Sequence, residues 1–520
     1  MIHLFLDNHD IEMVQDLTRR VYQPRKMDDP LLVPDRPWEH IPYFGNYTWT
    51  ILRDKEAGLF RCWYEDWVLD PVGLADSMAD ITDPSISKCR LCYAVSEDGL
   101  HWEKPALGLI SEGGHDTNII LGDSKDDPEK FGSVHSATII DDKIETDASR
   151  RFKMLFQHIC LGAPDEYAGS GDAGAPQVLQ SPIRAAYSAD GIHWTLDDRR
   201  LNFGGVGPKL GDVLILGYDH LRREYVLDTR HPHAWNPVLN PKLPRTRAWS
   251  MPYYPNDPIR LNKRRVFRTV SRDFQNWSLL NLMLTTDDDE DNLDESFYAL
   301  RSFRVGELEL GLAGTFQSVE NVVTPQLVYR RDTGNWRRAG KRQPILPLGD
   351  AGAWDEWMVV APCEPIRVGD EHWLYYGGSN SHHDWWITGL REGLELPEVR
   401  DLGLVRQGIG LARMRVNGFV SLHANSVREG LLITKPVAVT GRHLEINAVC
   451  GDSGSLRVEL SDENDDVLDR FSAEDFDSFS GDAVAHRCRW KGRDEFSTTG
   501  SLKLRFWLRN ADLYSFEWVS

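Results

Sequence analysis

The stretch "SEDGLHW" at residues 96–102 returns almost letter for letter as "SADGIHW" at 188–194, each time after an alternating apolar run. A chain that writes one turn twice is building repeated units, and this restricts its fold more than any other feature does. Further echoes follow: "FRTVSRDFQNWSLL" from Phe267, "QLVYRRDTGNWRR" from Gln326 and a degraded "GLARMRVNGFVSLH" from Gly410. Each is a strand of period two, then a polar turn on Asp or Asn with Gly nearby in most copies, then an aromatic. An Asp at such a turn accepts hydrogen bonds from the backbone N–H groups ahead of it, and Gly supplies a positive φ. A pair of strand-like runs precedes each echo, for example "NYTWTILRDKEAGLFRCWYEDW" before the first and "EPIRVGDEHWLYYGGS" before the fifth. Three or four strands per unit, in five units, predict a five-bladed β-propeller in which the repeated turn closes each blade.

From about Ser426 the pattern changes to strand after strand without the Asp turn, as in "HLEINAV", "GSLRVELSD" and "LKLRFWLRNADLYSFEW". This reads as a β-sandwich. The expected fold class is therefore all-β, a propeller over residues 1–425 followed by a C-terminal sandwich over 426–520. Residues 385–405 read as an insertion in the fifth blade, a short helix or lid, and 162–180 as a loop without strand content.

The formal net charge of -21 repels a phosphate backbone, so a nucleic-acid partner is excluded. No apolar run approaches the roughly 20 residues a membrane helix needs. The start "MIHLFLDNHDIEM" carries acids early and lacks a basic region and a small-residue cleavage site, so it is not a signal peptide. A cytoplasmic location, or secretion with the leader absent from this chain, is expected. Seven scattered cysteines argue against a disulfide framework. Cys89 and Cys92 form a C-x-x-C, but on a strand these positions face opposite ways, so they read as buried thiols rather than a metal centre. The acidic run "TTDDDEDNLDE" (285–295) lacks the spacing and Gly of a calcium loop and reads as a solvated segment. No cofactor and no metal are expected.

In a propeller the first strand of each blade lines the central channel, so polar residues at those strand starts are the functional candidates. They are Asn46, with Glu65 and Asp66 at the end of the next strand; His135; Asp212; Glu295; and Asp355, Glu356 and Glu364. The cluster "SNSHHDWW" adds His382, His383, Trp385 and Trp386. Eighteen Trp suit a ligand with flat apolar faces, such as a sugar, although the Trp pair could equally pack propeller against sandwich. Glycoside cleavage needs two carboxyl groups across the scissile bond, one protonated and one ionised. Asp212, Glu295 and Glu364 come from three blades and form the expected catalytic set, with Asp212 as nucleophile or base and Glu364 or Glu295 as acid. The remaining candidates are expected to bind substrate. For Asp212, Glu295 and Glu364 a turn cap or an Arg pair at the channel mouth is the alternative role.

The "S-x-D-G-x-x-W" turn resembles the Asp-box turn of sialidases and other sugar-processing propellers. Five blades and a C-terminal sandwich resemble glycoside hydrolase families thirty-two and forty-three, the fructofuranosidase and arabinanase group. "SEDGLHWEKPALGLI" is similar to the first-blade turn of invertase-type enzymes, and "APCEPIRVGDEHWLYYGG" (361–378) resembles the Glu-x-Pro strand start of family forty-three, which implies that Glu364 is the acid. The Asn-Asp-Pro-x-Gly nucleophile motif and the Arg-Asp-Pro motif are both missing. The resemblance implies a divergent glycosidase acting on a terminal, furanosidic sugar. Two readings stay open beside it. One is a phosphorylase, for which the Arg-rich 245–265 stretch is the hint; the other is a carbohydrate-binding propeller without turnover. Carbohydrate is the expected partner, and the C-terminal sandwich is the surface for any homo-oligomer.

Overall fold

The structure is a computed structural model that describes residues 1–70, 87–123, 132–159, 183–203, 210, 213–230, 264–287, 289–292, 294–332, 334–383, 385–392, 394–496 and 500–520. It is all-β, and five antiparallel blades follow one another along the chain. Blade one runs Trp49–Asp54, Leu59–Leu69, Ser87–Ser96 and Ile119–Leu121. Blade two runs Ser133–Asp141, Phe152–Ile159, Ile183–Ser188 and Thr195–Leu196. Blade three runs Leu214–Asp219, Glu224–Arg230, Val266–Ser271 and Asn281–Leu284. Blade four runs Glu295–Val305, Leu308–Gln317, Val322–Arg331 and Arg337–Arg338. Blade five runs Met358–Val360, Glu371–Ser379 and Gln407–Arg415, and its outermost strand is Arg25–Lys26 from the start of the chain.

Shared apolar cores join each blade to the next. Trp63 and Tyr93 of blade one pack with Phe152 and Met154 of blade two. Leu155 and Ala185 pack with Leu216 and Leu227 of blade three, and Val266 with Phe297 and Leu300 of blade four. Leu310 and Leu312 pack with Leu374 and Tyr376 of blade five. Tyr375 and Leu411 then return to Ile51 and Tyr64 of blade one, which closes the ring.

The repeated turn joins the third strand to the fourth in blades one, two and three, and its Asp accepts the same two backbone N–H groups in all three. Asp190 Oδ1 accepts from the N–H groups of Ile192 and His193 at 2.9 and 2.8 Å, and Oδ2 meets His193 Nδ1 at 2.7 Å. Asp98 makes the same bonds; Asp273 makes the same two backbone bonds, and its Oδ2 accepts from Asn276 Nδ2 at 2.7 Å in place of the His ring. In blades four and five the echoes carry no side-chain clamp among the described residues; instead the Gly334 and Gly418 N–H groups donate to the Arg331 and Arg415 carbonyls at 2.9 Å each. The turn also locks each blade to the one before it. Trp63 Nε1–H donates to the Gly191 carbonyl at 2.6 Å, and Tyr375 O–H to the Gly99 carbonyl at 2.8 Å.

Gly191 has φ +78, and a Cβ there would lie 2.7 Å from Trp63 Cζ2, an atom of a buried, immobile ring. Gly191→Ala is expected to destabilise the fold by about 2–4 kcal/mol, the backbone penalty plus overpacking. Gly108 has φ +67 and open space around it. Gly108→Ala should therefore cost only about 1–2 kcal/mol. Equal losses in urea denaturation would contradict the blade-locking role.

At the end of blade three's inner strand, Asp219 meets Arg304 of blade four at 2.9 Å and Arg222 of its own turn at 3.0 Å. Burial opposes its ionisation, but the two guanidinium groups and the Arg222 N–H outweigh it and hold the carboxyl at about 2, below its ordinary 3.8. A folded pKa below the unfolded one gives stability that is present above pH 3.8 and lost as the pH falls toward 2. Asp219→Asn should remove that part of the acid-unfolding slope, which a pH series of denaturation midpoints reads directly.

The C-terminal unit is one nine-stranded sheet folded over on itself. Its two longest strands, His443–Ser461 and Ser501–Val519, pair along their lengths, with a register break between Cys450 and Ser455. Opposite the break, Asn510 adopts φ 42. The fold-over shows in one distance. The Phe506 and Phe516 rings share a strand and would lie roughly 33 Å apart if it were straight, yet their centroids are 5.6 Å apart. Two halves of one sheet thus make the two layers of the sandwich.

The same sheet takes in Ile2–Leu4, Ile11–Gln15, Thr18–Val21 and Val420–Ala424. The beginning of the chain, read from sequence as propeller, pairs with the sandwich before crossing to blade five, because partners more than 400 residues away leave no local pattern. Most described residues of the acidic run at 285–295 are exposed, in keeping with a solvated segment, but the Asp291 side chain is buried and bound by Arg338 and Arg342. The 162–180 loop and most of the 245–265 stretch lie outside the described residues.

Candidate active site

The strand Leu59–Leu69 ends in "WYEDW", and strand alternation sends its residues two ways. Trp63, Glu65 and Trp67 face blade two, while Tyr64 and Asp66 face the N-terminal segment. On the neighbouring strand Cys89 lies directly opposite Trp67, and Arg90 directly opposite Asp66. Asp66 therefore enters a structural ion cluster. Arg90 Nη2 reaches Asp66 Oδ2 at 2.5 Å, Arg90 Nη1 binds Glu112, and the His40 N–H donates to Asp66 Oδ1 at 2.9 Å.

Glu65, 1% exposed, meets the first strand of blade two. His135 Nδ1 lies 2.8 Å from Glu65 Oε1, the Ser136 N–H donates to Oε2 at 2.8 Å, and Trp67 Nε1–H also donates to Oε1. Ser136 adopts φ 53 at a register shift in its strand, and this bulge presents the Ser136 amide and the His135 ring to the same carboxylate. Among the described residues no Lys or Arg pairs with Glu65. With Nδ1–H donated to Glu65, His135 holds the tautomer whose Nε2 is free to accept a proton.

Aromatic rings form the wall above. Trp67 packs edge-on to His135 with centroids 5.7 Å apart, and Tyr43 lies 4.6 Å from Trp67. Trp386, from the helix Trp385–Glu392, lies against Tyr43 at 5.7 Å and Trp67 at 6.4 Å. The 385–405 insertion, helical as expected, thus lies across this end of the channel. Its other anchor is His383, whose Nε2 meets the Tyr298 hydroxyl at 2.7 Å. Two guanidinium groups stack on the same tyrosine: Arg230 at 4.2 Å and Arg264 at 4.9 Å. Burial pushes the Arg230 pKa down to about 10, which leaves it cationic at neutral pH.

The remaining candidates lie elsewhere or are otherwise engaged. Asn46 Oδ1 accepts the Tyr47 N–H in the turn before blade one. Asp355 binds Lys26 at 2.6 Å, and Glu356 accepts the Gly352 N–H at 2.8 Å. Glu295 pairs with Arg338 at 2.9 Å. His382 is sandwiched between Trp357 and Trp385, at 4.0 and 4.3 Å. Asp212 lies outside the described residues.

Glu364 faces the other end of the channel. Cys363 beside it accepts the Ile51 N–H at 3.0 Å, and Arg301 reaches the Pro362 and Leu216 carbonyls at 2.5 and 2.8 Å. Tyr47, Val213, Tyr298, Met358 and Val360 pack together as one apolar cluster contributed by the inner strands. Glu364 is half-exposed, and the surrounding protein raises its carboxyl pKa against the pull of Arg301 and His220.

The structure thus brings together Glu65, His135, His383 and Trp386 of the candidates, and separates them from Glu295 and Glu364. Sequence reasoning passed over Tyr43, Trp67, Cys89, Arg230 and Tyr298. The alternation in "WYEDW" carries the signal for Trp67, and the C-x-x-C marks Cys89, read from sequence as a buried structural thiol; nothing local signals the others.

No family model and no curated protein matches the chain. Solved structures to which it is similar include a glycoside hydrolase, at 11% identity and TM-score 0.43 over 76% of this chain and 92% of that one. A β-1,2-mannobiose phosphorylase from Listeria innocua matches at 12% identity and TM-score 0.43, over 76% and 96%. A fructofuranosidase from Schwanniomyces occidentalis complexed with fructosylnystose matches at 10% identity and TM-score 0.41, over 96% and 98%. At such identities the roles of individual residues rest on the geometry of this chain alone.

Proposed function

We propose that this chain is a carbohydrate-active enzyme that cleaves a terminal glycosidic bond at the Glu65–His135 end of the propeller channel. The observation that carries the reading is the pairing itself. A buried carboxylate that no Lys or Arg meets among the described residues fixes one nitrogen of a histidine, beside Tyr and Trp rings. The rings offer faces for the C–H surface of a sugar. His135 Nε2 moves the proton, and Glu65 stabilises the imidazolium that forms. Asp212, which lies outside the described residues and is a candidate from its sequence alone, is proposed as the second carboxyl that glycoside cleavage requires.

A second reading, phosphorolysis, is favoured by one observation: Arg230 and Arg264 bring two guanidinium groups to the same end of the channel. Release of nitrophenol from a panel of aryl furanosides and pyranosides, with and without phosphate, tests both. Turnover without phosphate is the expected result. Turnover only with phosphate would move the reaction to phosphorolysis, and glycan binding without turnover would leave a binding module.

A further inference from the structure

We propose that Glu65, Cys89 and His135 form a binding site for a thiophilic divalent cation of the zinc class. Glu65 Oε1, Cys89 Sγ and His135 Nδ1 all lie within 4.8 Å of one another, and all three residues are buried. The nitrogen stands 2.8 Å from the oxygen and 3.9 Å from the sulfur. Ligand atoms around a tetrahedral zinc lie roughly 3.3–3.6 Å apart, so the imidazole must draw back from the carboxylate and the thiol must move inward, by up to about 1 Å, to complete the site. A carboxylate, an imidazole and a thiol are the donor set of zinc and its neighbours, not of calcium or magnesium.

Two further observations point to a cation here. Glu65 is a buried carboxylate that no Lys or Arg meets among the described residues, a costly arrangement that a bound divalent ion removes. The donors are also held from behind: Ser136 N–H and Trp67 Nε1–H fix the Glu65 carboxylate, and the Cys89 N–H donates to Ser133 Oγ at 2.5 Å.

On binding, Cys89 gives up its proton to solvent, and the His135 proton passes from Nδ1 to Nε2. One dication, one thiolate, one carboxylate and a neutral imidazole make a neutral centre. Three protein ligands leave one tetrahedral position open, the pattern of catalytic rather than structural zinc. The ion and the Glu65–His135 hydrogen bond use the same atoms, so the loaded site and the proton-transfer pair are alternative states. The proposal stands on the geometry and does not depend on glycoside cleavage.

Cobalt(II) titrated into the full-length chain tests it. The wild type should develop thiolate-to-cobalt charge-transfer absorption that saturates at one ion per chain and disappears when zinc is added. Cys89→Ser should abolish that absorption and weaken zinc binding on the order of 100-fold or more. Cys92→Ser should leave both unchanged, because Cys92 packs on the opposite face of the strand. Zinc should raise the Tm of the wild type and of Cys92→Ser but not that of Cys89→Ser. A wild type without charge-transfer absorption overturns the proposal even if Cys89→Ser fails to fold. Absorption that survives Cys89→Ser, or is lost in Cys92→Ser, overturns it as well.

Discussion

Arg90→Met is expected to destabilise the protein by about 3–5 kcal/mol at neutral pH, the cost of removing one partner from a buried ion cluster. Arg90 is fully buried and is the cation that Asp66 and Glu112 share, and it also donates to the Trp38 carbonyl at 2.7 Å. Without it two carboxyl groups stay buried, and burial already raises the Asp66 pKa despite Arg90. In the variant both carboxyls should take up protons on folding. A folded pKa above the unfolded one gives stability that is lost as pH rises. The deficit relative to wild type should therefore be smaller at pH 5 than at pH 8. Urea denaturation at the two pH values measures it, and a deficit under about 1 kcal/mol at pH 8 would mean that the cluster is hydrated rather than sealed.

The second large effect concerns the reaction. Glu65→Gln keeps the shape of the side chain but can offer its N–H to His135 Nδ1, which then favours the tautomer with the proton on Nε2. On the substrate identified by the glycoside panel, turnover should fall on the order of 10²–10⁴-fold, the usual worth of a positioned acid–base group. His135→Gln should cost about as much, and the double variant little more than either single change, because the two residues act as a unit. Additive losses would separate their roles.

The five blades were legible in the sequence because each is local: strand alternation and the "S-x-D-G" turn are read within some thirty residues, and Asp98, Asp190 and Asp273 make the backbone bonds that such a turn requires. Closure of blade five by Arg25–Lys26, and the pairing of the first strands with the sandwich, were not legible. These contacts join the two ends of the chain and have no local signature.

The site divides in the same way. Glu65, His135, His383 and Trp386 were visible as polar or aromatic residues at strand ends. The choice between Glu65 and Asp66 required the face assignment that Cys89 and Arg90 supply across the ladder. Glu295 and Glu364 looked like partners because each begins an inner segment, but level along the channel is a property of register between blades. Arg338 already holds Glu295, and Glu364 follows the end of the inner strand Met358–Val360 whereas His135 lies near the start of Ser133–Asp141.

The central claim, that the chemistry belongs to the Glu65–His135 end of the channel, is tested most directly by kcat/KM of His135→Gln and Glu364→Gln on the same glycoside, with folding of each checked by its denaturation curve. A loss on the order of 100-fold or more is expected in His135→Gln and a rate near wild type in Glu364→Gln. The reverse result, with Glu364→Gln inactive and His135→Gln unimpaired, would contradict it and move the reaction to the opposite end of the channel.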